Sequence, residues 1–359
     1  GYYPSFLWKD GERLPLPGNT HADGGKTPEI YGPGATEKRR GNRDGKVTYA
    51  PDAMLAETLK FMEENRNRPM FILFSTNLPH GPVDIPPAEN KYAGHPAIRQ
   101  AYAGAAGGNR ECAGAAEEYA SMVDKLDRQV GAILAQVHKL GLEKRTIIVF
   151  SSDNGHELYY RTDKERGRGL NCHGGVLDGT GELLDVFRGS RGLIGQKNAM
   201  VNLAGLKWTN HEGGIRVPLI VSWPGTVPHG KVCRSLVASY DHMATFAELA
   251  GVGMPEGKDS VSYKNMLFGK PSSQRDYVVV DHTVITGDGW KLTHKQDKWL
   301  LFQISSDPEE RHNLAETRKD QLERLQAIYR KEAGSPRKDR QKPEQPRKTA
   351  LFPPLAFAG

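Results

Sequence analysis

Cysteine is scarce in this chain, with three residues (Cys112, Cys172 and Cys233) in 359. They are too few and too scattered for a disulfide framework, and no C-x-x-C is present. They do not decide the compartment. Long apolar runs are missing as well. None approaches the roughly 18–20 residues that a membrane-spanning helix requires. The opening Gly1-Tyr2-Tyr3-Pro4-Ser5 has neither the basic nor the apolar region of a signal peptide, and no initiator methionine precedes it. The chain therefore reads as a mature form or a fragment. Charge of one sign is also limited. The net charge is +6, but residues 331–359 hold seven Lys/Arg against three Asp/Glu, so four of those six charges lie in that tail. A nearly neutral body argues against a nucleic-acid-binding surface.

What is present is ordinary globular material. Hydrophobic residues make up 37% before the 40 glycines are counted, and 26% of residues are charged, which excludes collagen, a coiled coil and a wholly disordered chain. The length suits one large α/β domain or two smaller ones. Residues 1–50 read as extended loops that depend on other parts for support. A helix is predicted from about Asp52 to Asn65, with Leu55, Leu59 and Met62 on one face, closed by Arg68-Pro69. Met70-Phe71-Ile72-Leu73-Phe74 is a short continuous apolar run of the kind buried on both faces of a parallel sheet. Residues 83–115 read as a surface loop. The clearest helix runs from about Ala116 to Leu140, where Tyr119, Met122, Val123, Leu126, Val130, Ile133, Leu134 and Val137 keep the 3.6-residue period before Gly141. Thr146–Phe150 is a second buried strand. A helix returning between two buried strands is a βαβ unit, which implies a parallel sheet.

Residues 157–205 form a long insertion rich in Gly and Arg, of the functional or disordered kind. A third strand is predicted at Leu219–Trp223, followed by a helix from Asp241 to Gly251. Past about residue 275, short strand candidates at 277–280, 290–293 and 299–303 and a charged helix at 316–331 suggest a small antiparallel sheet with one helix. The division is an α/β domain at 1–270, an α+β subdomain at 271–333, and a basic, proline-rich, disordered tail at 334–359. No internal repeat is present.

Ligands of open α/β sheets bind beyond the carboxyl ends of the strands. Two polar clusters occupy such positions: His80 after the first strand and Asp153-Asn154 after the second. An Asp carboxylate beside an Asn carbonyl is a hard oxygen pair suited to Ca²⁺ or Mg²⁺. On its own, Asp153-Asn154-Gly155 is equally a turn signal. A lone histidine such as His80 or His156 is more often structural, and an isolated lysine such as Lys207 is usually just solvated.

Taken in order, however, the segments resemble a known family. Tyr2-Tyr3-Pro4, Asn77-Leu78-Pro79-His80, Ser151-Ser152-Asp153-Asn154-Gly155, Gly205-Leu206-Lys207-Trp208-Thr209 and Glu212-Gly213-Gly214-Ile215-Arg216-Val217-Pro218 occur in sulfatase order. Trp290-Lys291-Leu292, Asp307-Pro308-Glu309-Glu310 and Asn313-Leu314 resemble the family's closing segment. The chain is similar to the later two-thirds of a bacterial-type sulfatase of the alkaline-phosphatase-like superfamily. That resemblance implies a mostly parallel central sheet flanked by helices. It matches Asp153 and Asn154 to the second pair of Ca²⁺ ligands and Lys207 to the lysine that contacts the sulfate and its bridging oxygen. It matches His80 to the proton donor beside the leaving group, with His156 placed near the substrate. These roles suit sulfuryl transfer, which needs cations around the nonbridging oxygens and protonation of a poor leaving group. The resemblance also implies a periplasmic or secreted location.

The departures are as informative. No Cys-x-Pro-x-Arg or Ser-x-Pro-x-Arg is present, so the formylglycine nucleophile of the family has no counterpart here. No two aspartates are adjacent, so the first pair of calcium ligands is missing too. His211 stands where the family commonly has an aromatic residue. Three readings follow: a portion of a sulfuric ester hydrolase acting on sulfated carbohydrate or aryl sulfates, a non-catalytic sulfatase-like binding module, and a phosphoesterase of the same superfamily. The third ranks lowest, because paired Zn²⁺ sites need more His and Asp ligands than these motifs provide.

Overall fold

A computed structural model of the chain describes residues 2–19, 47–80, 84–96, 98–99, 110–155, 169–170, 176–177, 203–204, 207, 209–254, 256–270, 275–295 and 298–334. His156, most of the 157–205 insertion and the tail beyond residue 334 lie outside them. The first element is a hairpin of β1 (Phe6–Lys9) and β2 (Glu12–Pro15), where loops alone are expected. Its Asp10-Gly11 turn has positive φ at both residues (52° and 85°), the backbone that a two-residue hairpin requires. Helix α1 (Ala50–Glu64) starts with Pro51 and Asp52 in its first turn and buries Met62.

Helix α2 (Arg110–Lys139) is the longest element, and Gly141 follows it with φ 66°. It packs on two cores. One joins Tyr2, Tyr3, Tyr49, Leu78, Ile85, Ile98 and Met122; the other joins Met62, Val137 and Leu142. Ile85 and Ile98 are fully buried, so part of the segment expected to be a surface loop is core.

The expectation of a mostly parallel central sheet is not met. Among the described residues every ladder is antiparallel. Strand β3 (Ile148–Ser151) pairs antiparallel with β6 (Leu219–Ser222), and the short β4 (Gly169–Leu170) and β5 (Val176–Leu177) pair with each other. The 70–74 segment joins no ladder, and Phe71 and Leu73 are 77% and 79% exposed. The physical reasons are separate. The βαβ argument constrains 70–74 and β3 and leaves the direction of β6 open. An apolar run marks a segment that can be buried on both faces, but two strands and one helix do not supply both covering layers.

Helix α3 (Glu212–Ile215) is one turn, and α4 (Asp241–Ala250) ends at Gly251 with φ 70°. A short α5 (Lys264–Leu267) precedes the C-terminal sheet. That sheet has the order β10-β9-β8-β7, formed by β7 (Tyr277–Val280), β8 (Thr283–Thr286), β9 (Trp290–Lys295) and β10 (Lys298–Gln303). β8 is an addition to the strands expected from sequence. Helix α6 (Lys319–Gly334) packs on the sheet through Leu325 against Val284, Trp290, Leu292 and Leu301. No helix of the described residues is long and apolar enough to cross a membrane.

Candidate functional site

His80 sits in a loop braced from below by aromatic side chains. Tyr2 stacks on Tyr49 at 5.5 Å, and Tyr3 meets Tyr49 at 5.2 Å. The Tyr2 hydroxyl donates to the Asn77 carbonyl at 2.8 Å and also contacts the His80 carbonyl. The His80 amide closes the turn onto Asn77 O at 2.8 Å, across a cis Leu78–Pro79 bond. The loop backbone is therefore fixed, and the imidazole is presented from it. Beside it the Asn77 Oδ1 is buried without a hydrogen-bond partner among the described residues.

Asp153 and Asn154 follow β3 in a turn held by its own side chains. Ser152 Oγ donates to Asn154 O at 2.9 Å, the Asn154 amide donates to Asp153 Oδ1 at 2.9 Å, and Asn154 Nδ2 donates to Gly155 O at 2.8 Å. These bonds leave Asp153 Oδ2 and Asn154 Oδ1 as acceptors. Both are hard donors of the kind Ca²⁺ takes, but two ligands fall short of the six to eight it prefers. Among the described residues, no group of three or more His, Cys, Asp or Glu side chains is placed to hold a metal ion.

The turn is docked on α3 backbone to backbone. The Gly155 amide donates to Gly214 O at 2.9 Å. A Cβ on Gly155 would stand 1.8 Å from Gly213 O, so only glycine allows this approach. Gly213 in turn donates to Ala204 O at 2.6 Å. Helix α3 thus links the Asp153 turn to the polypeptide that carries Lys207.

Lys207 closes the site from the other side. Its Nζ lies 3.1 Å from His80 Nε2, across 127 positions of sequence. Which of the two nitrogens donates in this contact depends on the protonation of the His80 ring. Of the residues expected at the site, His80 and Lys207 are in direct contact. Asp153 and Asn154 are coupled to the Lys207 segment through Gly155 and α3. His156 lies outside the described residues.

A buried charge cluster on the far side of α3 is a feature that sequence reasoning misses. Lys291 of β9 is 0% exposed, and its Nζ lies 3.1 Å from Glu212 Oε1 and 2.9 Å from Glu310 Oε1. Glu310 Oε1 also accepts the Glu212 amide at 2.7 Å, and Glu310 Oε2 lies 2.7 Å from His211 Nδ1. Burial acts to raise the Glu310 carboxyl, but His211, Lys291 and the Glu212 amide outweigh it and hold the group below the usual glutamate value. The available signal was Lys291 itself, a lysine between Trp290 and Leu292 in an apolar strand, on the opposite sheet face from both.

Comparison with known proteins bears on what this site belongs to. The sulfatase family description matches residues 18–252. The chain belongs to the sulfatase family. A second description, the C-terminal region of N-sulphoglucosamine sulphohydrolase, matches residues 207–333 of this sulfatase chain. An N-acetylgalactosamine-6-O-sulfatase of Bacteroides thetaiotaomicron is 26% identical over 226 residues, 57% of the sulfatase chain and 39% of the relative. An N-acetylgalactosamine-6-sulfatase of Canis lupus familiaris is 27% identical over 206 residues, covering 57% and 29% respectively. The matched stretch therefore spans well under half the length of these curated relatives. A solved Bacteroides thetaiotaomicron protein of glycosaminoglycan metabolism superposes with a TM-score of 0.58 at 21% identity, over 81% of the sulfatase chain and 56% of its own. A protein solved with its substrate D-glucosamine-2-N,6-O-disulfate also gives 0.58, at 16% identity, over 95% and 75%. These two likenesses carry the fold alone.

Proposed function

We propose that the sulfatase chain supplies the leaving-group side of a sulfuric ester hydrolase, with sulfated carbohydrate as the first substrate class and aryl sulfates as the second. The observation that carries this reading is the Lys207–His80 pair, a cation and an imidazole in contact on a braced loop. Cleavage of a sulfate ester places negative charge on the nonbridging and departing oxygens. Lys207 binds and orients the sulfate, and His80 delivers the proton that the departing alkoxide needs. Asp153 and Asn154 would hold a calcium ion as two of its ligands. When bound, the ion supplies positive charge to the sulfate oxygens. His156 is assigned to substrate binding. The proposal includes a periplasmic or secreted location, as the family resemblance implies.

Support for carbohydrate comes from relatives. Solved neighbours hold D-glucosamine-2-N,6-O-disulfate (TM-score 0.58) and k-i-k-neocarrahexaose (TM-score 0.53), and a curated relative is named for N-acetylgalactosamine-6-sulfate chemistry. The missing Cys-x-Pro-x-Arg or Ser-x-Pro-x-Arg motif favours a second reading, in which these 359 residues bind a sulfated ligand without turning it over. Metal, cations and nucleophile act as a unit, and losing one member forfeits most of the catalysis.

The test has two arms. Calorimetric titration of the purified chain with a 6-O-sulfated amino sugar is expected to show binding that weakens at least tenfold in Lys207→Ala. Assay of an aryl sulfate and the same sugar, with and without Ca²⁺, is expected to show no turnover. Equal binding of wild type and Lys207→Ala would remove the assignment of the site. Turnover that disappears in Lys207→Ala would instead require a nucleophile inside these residues.

A further inference from the structure

We infer that Lys291 and Glu310 are positioning residues: from the C-terminal sheet they set the geometry of the Asp153–Asn154 turn, which lies in the preceding domain. The name given to that turn rests on the proposed function; the mechanical coupling does not. The path is short and each link is a contact. The Lys291 ammonium bridges Glu212 and Glu310, and Glu310 also takes the Glu212 amide. This fixes the start of α3, a helix of one turn that cannot hold its own shape. The next two residues, Gly213 and Gly214, form the bed on which Gly155 lies, with no room for a side chain and one hydrogen bond to Gly214 O. A shift of α3 therefore moves Gly155, and with it the two oxygens beside it.

The charges explain why the cluster is rigid. Glu212 and Glu310 are both buried, and each would be strongly penalised without a counter-charge. Lys291 meets both, His211 faces the second Glu310 oxygen, and Arg216 reaches the second Glu212 oxygen at 3.7 Å. Removing the ammonium leaves two carboxylates converging on an empty point, and the α3 start is pushed apart.

The experiment is amide hydrogen exchange by mass spectrometry on wild type, Lys291→Met and Glu212→Gln. The last keeps Lys291 paired with Glu310 and guards against loss of folding in the first. Exchange at Gly155 and Gly213 is expected to rise at least tenfold in both variants, with residues 122–137 of α2 unchanged. Exchange that rises only within residues 277–334 would make the cluster a local feature of the C-terminal sheet and overturn the inference. So would an equal rise everywhere in both variants. Sulfated-ligand binding plays no part in this readout, so failure of the proposed function leaves it decidable.

Discussion

Gly155 shows how a single residue type can be dictated by the space around it. Its Cβ position is taken by the Gly213 carbonyl, so Gly155→Ala must displace one backbone from the other. Overpacking of this kind costs about 1–3 kcal/mol. The variant is expected to lower the unfolding free energy read from urea titration by that amount, with a lower midpoint, and to weaken sulfated-sugar binding. A variant with unchanged midpoint would show that the two turns are not in register. Glu310 gives a second expectation, with a defined sign. Its carboxyl is held below the ordinary value of 4.5, so its contribution to stability is complete above that value and fades as pH falls through the lowered one. Urea midpoints of wild type and Glu310→Gln are thus expected to differ most near neutrality and to converge in acid. A gap that persists in acid, once the carboxyl is protonated in both folded and unfolded chains, would count against the pairing. Much of the candidate site was legible at this scale. Asp153-Asn154 and His80 could be placed because each follows an apolar run. The nearness of His80 and Lys207 was expected only from the family resemblance, because spacing carries no information about partners 127 positions apart.

Helix α2 shows what hydrophobic periodicity reads and what it overlooks. The apolar stripe correctly located the helix, yet Val123 and Leu134 on it are exposed, while Glu117, Ser121, Lys125 and Gln129 are buried. Those four recur at every fourth position and form a polar ridge along one face. Each has a partner off the helix. Arg99 pairs with Glu117 at 2.8 Å, Ser121 Oγ donates to Asn90 Oδ1 at 2.8 Å, and Gln129 Nε2 donates to Pro51 O at 3.0 Å. Lys125 binds both Glu89 oxygens, at 2.8 and 2.7 Å, and Asp52 at 2.7 Å. The ridge holds the start of α1 and the 84–99 segment on the helix by hydrogen bonds. Sequence periodicity missed it because polarity was equated with solvent. Lys125→Met is expected to destabilise by about 1–3 kcal/mol, less than a fully buried pair would, because Glu89 and Asp52 keep partial contact with water. Leu134→Ala, on the apolar stripe but exposed, is expected to change stability by no more than about 0.5 kcal/mol. Reversed magnitudes in urea titrations of the two variants would restore the simple amphipathic reading.

Across the whole molecule, the C-terminal sheet is the part whose pattern was most readable, because its strands are short apolar and β-branched runs separated by turns, and one face of the sheet packs on α6. The 70–74 segment, β3 and β6 were readable as extended apolar chain but not as a sheet. Their direction and partners depend on layers that the local pattern does not specify. The consequence is an exposed apolar surface. Phe71 and Leu73 stand out from a segment without ladder bonds, Ile220 is 61% exposed on β6, and Phe71 packs edge-on against Phe246 of α4. Among the described residues, β3 and β6 each have one ladder partner, so each presents an open edge. Open edges and exposed apolar side chains together favour pairing with another chain. The purified 359-residue chain is therefore expected to bind an apolar dye such as anilinonaphthalene sulfonate and to associate as its concentration rises. Phe71→Ser, Leu73→Ser and Ile220→Thr combined are expected to suppress both effects while changing the urea midpoint little, since exposed side chains contribute little burial to lose. Sedimentation over a hundredfold range of concentration decides the matter. If the triple variant associates as strongly as wild type, the contact lies elsewhere, and these side chains are surface residues without consequence for assembly.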